Sequence, residues 1–261
     1  MSNPSLPLEI LDYIVDNLHD EPDALQGCCL VAKSWIPRTR KHLFADIRFS
    51  SPERLESWKK TFPNSSNSPA YHTHTLSVQC PQVVTMADAE GGGWIRTFSR
   101  VVRLEVNGNA HGFGESEVAP FHAFSPILRS LRLFSTTLPL SWIFGLVRSL
   151  PLLEDLTLAI QRTPNNDDLD VGGPPTGIPP PSSPAFTGTL RLVLFHGMGP
   201  TVHRLLDLPN GLHFRHLSFS WRREDELQWV NPLVAECSDT LESLDVRYCC
   251  YQRGAGVWLL W

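Results

Sequence analysis

The chain has 261 residues, 42% hydrophobic and 19% charged, enough for one large or two small folded domains. Its net charge of −5 leaves no overall basic footprint, which speaks against nucleic acid or an anionic membrane as a partner. No apolar run reaches the roughly 18 residues of a transmembrane helix, and "MSNPSLPLEILD" lacks the basic and long apolar stretches of a secretory signal. In chain order, the first predicted element is a helix in "LPLEILDYIVDNL". Pro7 suits its first turn, and Glu9 lies near the positive end of the helix dipole. Ile10, Leu11, Ile14, Val15 and Leu18 make one apolar stripe at helical spacing. "HDEPD" breaks the pattern, and Pro22 opens a second short helix carrying Leu25, Cys29, Leu30 and Val31. "SWIPRTRKHLF" reads as a third helix with Trp35, Thr39 and Leu43 on one face, and "ADIRF" then alternates like a strand.

Charge is sorted along this stretch. Six acids (Glu9, Asp12, Asp16, Asp20, Glu21, Asp23) precede four bases (Lys33, Arg38, Arg40, Lys41), with no mixing. So short a segment rarely builds a sufficient core alone. Its large apolar side chains must dock on the rest of the chain or on another protein.

"LPLEILDYIVDNLHDEPDALQGCCLVAKSWIPRTRKHLF" resembles an F-box of the kind common in proteins of mushroom-forming fungi. The match rests on Leu6-Pro7, Glu9-Ile10, Ile14, Leu18, the acidic break, Leu25, Leu30-Val31, Ser34-Trp35 and the closing Leu43-Phe44. The resemblance implies a three-helix module that inserts apolar side chains into a Skp-type adaptor, which hangs from a cullin. Carried over by position, Leu6, Pro7, Ile10, Ile14, Leu18, Leu25, Leu30, Val31 and Trp35 would form or support that interface. Burying one such side chain contributes about 1.5–3 kcal/mol before the costs of association. One departure is Cys28-Cys29, where the family often has Ser or Thr beside the cysteine; a small thiol is tolerated there.

Residues 50–75 read as a helix plus a polar connector, "FPNSSNSPAYHTH". Beyond them one pattern recurs, a leucine followed two residues later by an apolar residue. It starts at Leu76, Leu104, Leu131, Leu156, Leu192, Leu217 and Leu244, at intervals of 28, 27, 25, 36, 25 and 27 residues. Five of those intervals fall within the leucine-rich-repeat range. The long one holds a proline-rich insert, residues 163–189, with six prolines between Pro174 and Pro184, which reads as an extended loop. Helices are expected in "LSWIFGLVRSL" and in "LQWVNPLVAEC", the second kinked or cut by Pro232. The apolar "YQRGAGVWLLW" is an awkward end for a repeat array, which points to burial or to a truncated array.

No HExxH, P-loop or GxSxG motif occurs, "GMGPTV" reads as a turn, and no His pair has a ligand at metal spacing. No cofactor, metal or catalytic residue is therefore expected. The six cysteines include two adjacent pairs and no CxxC, which suits reduced thiols in the cytoplasm or nucleus.

The expected fold class is α/β: a three-helix F-box over 1–49, a connector over 50–75, and an irregular leucine-rich-repeat solenoid with a parallel sheet over 76–261. Side chains beside the strand leucines are expected on the concave face of that sheet, the expected side for a target. They are Arg103, Glu105, Asn107, Arg132, Phe134, Asp155 and Thr157, then Val193, Phe195, His216, Ser218, Asp245 and Arg247. Their charges are mixed and name no target. The resemblance implies the substrate receptor of a Skp–cullin–F-box ubiquitin ligase. The competing reading is a repeat scaffold with no role in ubiquitination.

Overall fold

The computed structural model describes residues 7–63, 68–79, 94–108, 119–135, 140–161, 187–196, 198–208, 211–221 and 224–248. Three helices open the chain: α1 (Leu8–Asn17), α2 (Pro22–Val31) and α3 (Ile36–Leu43). Pro22 stands in the first turn of α2, where its missing N–H costs nothing. The expected third helix is split, because Lys33–Trp35 form a short 3-10 turn and α3 begins only at Ile36. The stripe of α1 also divides. Val15 is buried and Leu11 and Leu18 lie half-buried beside it, whereas Ile10 and Ile14 stay exposed one helical step around.

Eight strands then form one parallel sheet: β1 (Asp46–Phe49), β2 (Thr75–Val78), β3 (Arg103–Gly108) and β4 (Ser130–Ser135), followed by β5 (Asp155–Gln161), β6 (Thr189–His196), β7 (His216–Trp221) and β8 (Ser243–Tyr248). Spatial order equals chain order. The register aligns Ile47, Leu76, Leu104, Leu131, Leu156, Leu190, Leu217 and Leu244 in one row across the sheet. A second row two residues on includes Phe49, Val78, Val106, Leu133, Leu158, Leu192 and Phe219. Those rows face inward and, up to β7, lie in the core.

One backbone device opens every strand pair except β5–β6, where Glu154 O accepts from Thr189 N–H alone. The carbonyl just before a strand accepts N–H bonds from consecutive residues of the next. Ala45 O takes His74 and Thr75, His74 O takes Val102 and Arg103, and Val102 O takes Arg129 and Ser130. Arg129 O, Gly188 O and Arg215 O continue the series. At Gly188 the approach is so close that a Cβ would lie 1.6 Å from the Glu154 carbonyl oxygen. Only glycine fits there.

The segments joining the strands cover the inward rows. They include α4 (Pro52–Thr61), α5 (Leu140–Arg148), α6 (Met198–Leu206) and α7 (Val230–Glu236), with 3-10 turns at Ala119–Phe124 and Glu224–Trp229. α5 lies where its spacing predicts, with Leu140, Ile143, Phe144 and Val147 buried. "GMGPTV" is not a turn. From Met198 on it forms the start of α6, whose Val202 and Leu205 are fully buried; Pro200 in the first turn suits a helix start. Pro232 cuts the longer predicted helix as expected, so that α7 starts at Val230 after a 3-10 turn.

The sheet begins earlier than residue 76, since Asp46–Phe49 pairs with β2 along its whole length. An aromatic group welds this end to the helices. Phe44 closes α3 and meets Trp58 edge-on at 5.9 Å and Phe62 at 6.1 Å; Trp58 also meets Phe49 and Phe98. The leucine anchors of β6 are Leu190 and Leu192, not Leu192 and Leu194. "TLRLVL" offers three alternating leucines, and alternation alone does not choose between registers. Of the insert assigned to 163–189, residues 163–186 lie outside the described residues, as does the whole of "YQRGAGVWLLW", and the insert's assigned end is too late, since Thr189 already opens β6.

Candidate functional site: an apolar helical surface and an open sheet face

Two surfaces stand out. The first belongs to the N-terminal helices, where Leu8, Ile10, Tyr13, Ile14, Leu30 and Val31 are exposed, Leu30 at 89% and Tyr13 at 68%. Isolated apolar residues on a surface are ordinary; six within two ten-residue helices are not. The helices are held in place by polar contacts. Asp16 of α1 accepts from Arg38 Nε of α3 at 2.6 Å and from its Nη2, and His42 Nε2 lies 2.7 Å from Asp16 Oδ1. The Arg38 guanidinium holds the Asp16 carboxyl far below the ordinary carboxylate range, with His42 adding to it against some desolvation. The acid block and the basic block of the sequence thus meet as a clamp. Thr39, fully buried, donates to Trp35 O at 2.8 Å, leaving the Cys29 thiol to donate to Thr39 Oγ1 at 2.9 Å.

The residues expected to touch an adaptor divide accordingly. Pro7, Ile10, Ile14, Leu30 and Val31 are exposed, Leu18 and Trp35 are half-buried, and Leu25 is buried within the helices, supporting them from inside. Leu6 lies outside the described residues. Tyr13 and Leu8 share the exposed surface and were not singled out by helical spacing, which seeks an inward stripe.

The second surface is the sheet face opposite the leucines. Parallel sheets are ordinarily covered on both faces, yet here Arg103, Asp155, Arg191, His216 and Arg247 are exposed. A groove of about 520 Å³ runs over β4–β8. Expected residues that line it are Arg132, Phe134, Thr157, Val193, His216, Ser218, Asp245 and Arg247. Thr189, Arg191, Ser220 and Ser243 line it as well and were missed, Thr189 and Arg191 because of the two-residue slip in the β6 anchors. Register places Glu105, Arg132, Thr157, Arg191, Ser218 and Asp245 in one row across the face. Arg103, Glu105 and Asn107 stand beside the groove on β3, and Asp155 opens β5 on the same face. Phe195 falls where the β5–β6 register shifts.

Inside the groove the polar groups are partly paired. Arg247 Nη2 lies 2.6 Å from Asp245 Oδ2 and holds that carboxyl below its usual range, with Ser218 and the charge of Arg191 acting the same way. His216 Nδ1 is 2.8 Å from Ser243 Oγ on the next strand. Three arginines against one aspartate make the groove net positive, within a chain that is net negative. That arrangement suits an extended polypeptide with acidic groups laid across the strands. Among the described residues no group of His, Cys, Asp and Glu is placed to hold a metal ion, and no helix is long and apolar enough to cross a membrane.

What the fold defines, then, is an α/β chain with a parallel eight-stranded sheet and a helical unit at its start. Over 114 residues it is 25% identical to the F-box protein COS111 of Kluyveromyces lactis, a stretch covering 44% of this chain and 14% of that relative. This similarity supports an F-box relation. No protein-family model matches the chain, and no solved structure matches it.

Proposed function

We propose that the chain is the substrate-recognition subunit of a Skp–cullin–F-box ubiquitin ligase. The observation that carries this reading is the apolar surface of α1 and α2: side chains such as Ile10, Ile14, Leu30 and Val31 stay exposed although Val15 and Leu25 of the same helices are buried. An exposed apolar surface of this kind suits a partner, and the likeness to an F-box protein supports reading that partner as a Skp-type adaptor. In this reading residues 1–49 are the F-box, 50–75 the connector, and 76–261 an irregular leucine-rich-repeat array whose strands start a sheet already seeded by β1. Strands paired only with their sequence neighbours, at intervals near 27 residues, favour that description.

The target lies in the groove of the open face, its acidic groups beside Arg132, Arg191 and Arg247. The chain itself makes and breaks no bonds. It works by proximity, raising the effective concentration of a target lysine near a ubiquitin-charged conjugating enzyme, in the cytoplasm or nucleus. The test is co-purification of adaptor and cullin with the intact chain and with Ile14→Asp/Leu30→Asp. Both changes sit on exposed positions, so the fold survives. Capture by the intact chain and loss in the double variant support the reading. A folded intact chain that captures neither protein overturns it and leaves the scaffold reading.

A further inference from the structure

Two rows of the open face repeat on every second strand. Arg132 of β4 and Arg191 of β6 stand in one row, with Thr157 of β5 between them. Two residues further along the strands, Phe134 and Val193 stand in a second row, with Ala159 between them. The two arginines, Phe134 and Val193 all line the groove. Among the described residues neither Arg132 nor Arg191 forms an ion pair, whereas Arg247 is held by Asp245 at 2.6 Å. Unspent positive charge and apolar surface therefore recur together, on β4 and again on β6.

The groove is also narrow. It lies over five strands, β4–β8, about 19 Å at the usual strand spacing. A volume of about 520 Å³ spread along that length leaves a mean section of roughly 27 Å². A helix is about 10–12 Å across, roughly 80–110 Å² in section, and does not seat there. A single non-helical chain does.

Spacing then selects the conformation of that chain. Alternate strands lie about 9.6 Å apart. A fully extended peptide returns a side chain to the same edge every second residue, at about 6.6 Å or, one repeat on, about 13.2 Å. Neither length reaches from Arg132 to Arg191. A polyproline II helix returns one every third residue, at about 9.3 Å, which fits. Of its three edges, one meets the arginine row, the next meets Phe134 and Val193, and the third faces water. Such a segment is preformed, so little ordering entropy is lost on binding.

We propose that the groove takes a polyproline II segment of a target protein, with acidic side chains three residues apart and an apolar side chain next to each. This deepens the reading of the groove as the target site and rests on it. The motif has two acids, not three, because two strands beyond Arg191 the same row holds Asp245.

Fluorescence anisotropy of labelled proline-rich peptides titrated with the full chain tests this. One peptide has glutamates at its first and fourth positions, each followed by leucine. Two others of the same composition have them at the first and third, or the first and fifth. The first-and-fourth peptide is expected to bind about fivefold tighter than either. Arg191→Gln should abolish that preference, and Arg103→Gln, outside the groove, should keep it; both positions are exposed, so the fold survives. Equal affinities, tighter binding of another spacing, no measurable binding, or a preference that survives Arg191→Gln each overturns the proposal. Adaptor capture, read at α1 and α2, is measured on the same preparation. Capture without a spacing preference removes the motif alone, whereas the preference without capture removes the ligase reading alone.

Discussion

Asp16, Arg38 and His42 gather within one small polar contact between α1 and α3, and a third of the aspartate side chain still faces water. Exposure on that scale screens the pair, so Asp16→Asn should destabilise the helical unit by about 1 kcal/mol or less. The sign with pH follows from the depressed carboxyl. Its contribution is complete above the ordinary aspartate range and disappears only in strong acid, as pH falls toward the lowered value. Urea unfolding followed on the N-terminal helices at pH 7 and pH 3 checks both points, with the gap between the two proteins narrowed but not closed at pH 3. His122 acts with the same sign but in a higher pH range. Burial lowers its pKa, and Nδ1 lies 2.7 Å from Ser149 Oγ, which itself donates to Leu146 O. The imidazole is therefore neutral and donates to the serine. Stability should fall as pH drops below the ordinary histidine value of about 6.5, because the unfolded chain then binds a proton that the folded one resists. His122→Asn, keeping an N–H donor, should flatten that decline between pH 7.5 and 5.5 in urea midpoints. His72, lowered mainly by burial, leaves a residual slope of the same sign.

At the level of elements, spacing was a good guide where a helix lies on the core with one clean apolar face. α5 and α2 appear where apolar periodicity and a helix-opening proline put them. It was a poorer guide at Met198–Leu206, because Gly199 and Pro200 suggest a turn when read alone. Gly199 is small for a packing reason: a Cβ there would lie 2.7 Å from the Trp229 ring. Leucine spacing located every strand from β2 to β8, but in β6 three alternating leucines left the register open, and with it Arg191. Nothing local in the sequence marks Gly188 as irreplaceable, since its constraint is the backbone of the neighbouring strand. Gly188→Ala should force β5 and β6 apart and destabilise the sheet by roughly 1–3 kcal/mol, read as a lowered denaturation midpoint. Gly27, which has open space around it, is the matched control, and Gly27→Ala in mid-helix should be neutral or stabilising.

For the molecule as a whole, the sequence made the layout legible: helices with sorted charge and apolar residues at the front, leucine-rich strands behind. The open-face rows followed from alternation, whereas their merging into one groove over β4–β8 depends on register across five strands, which no single segment encodes. If a target binds there, Arg191→Ala should weaken it by about tenfold, and Arg103→Ala, outside the groove, by far less. Titration with the captured target, alongside unchanged adaptor binding, separates the two surfaces. The order of the described strands has one more consequence. Each touches only its immediate predecessor and successor, so no distant strand must return to close the sheet. Lengthening such a molecule is a matter of copying one unit, and every copy widens the open sheet face by one strand width, about 4.8 Å, without rewiring any other. Evolution can thus resize the sheet while leaving the helices at the front untouched.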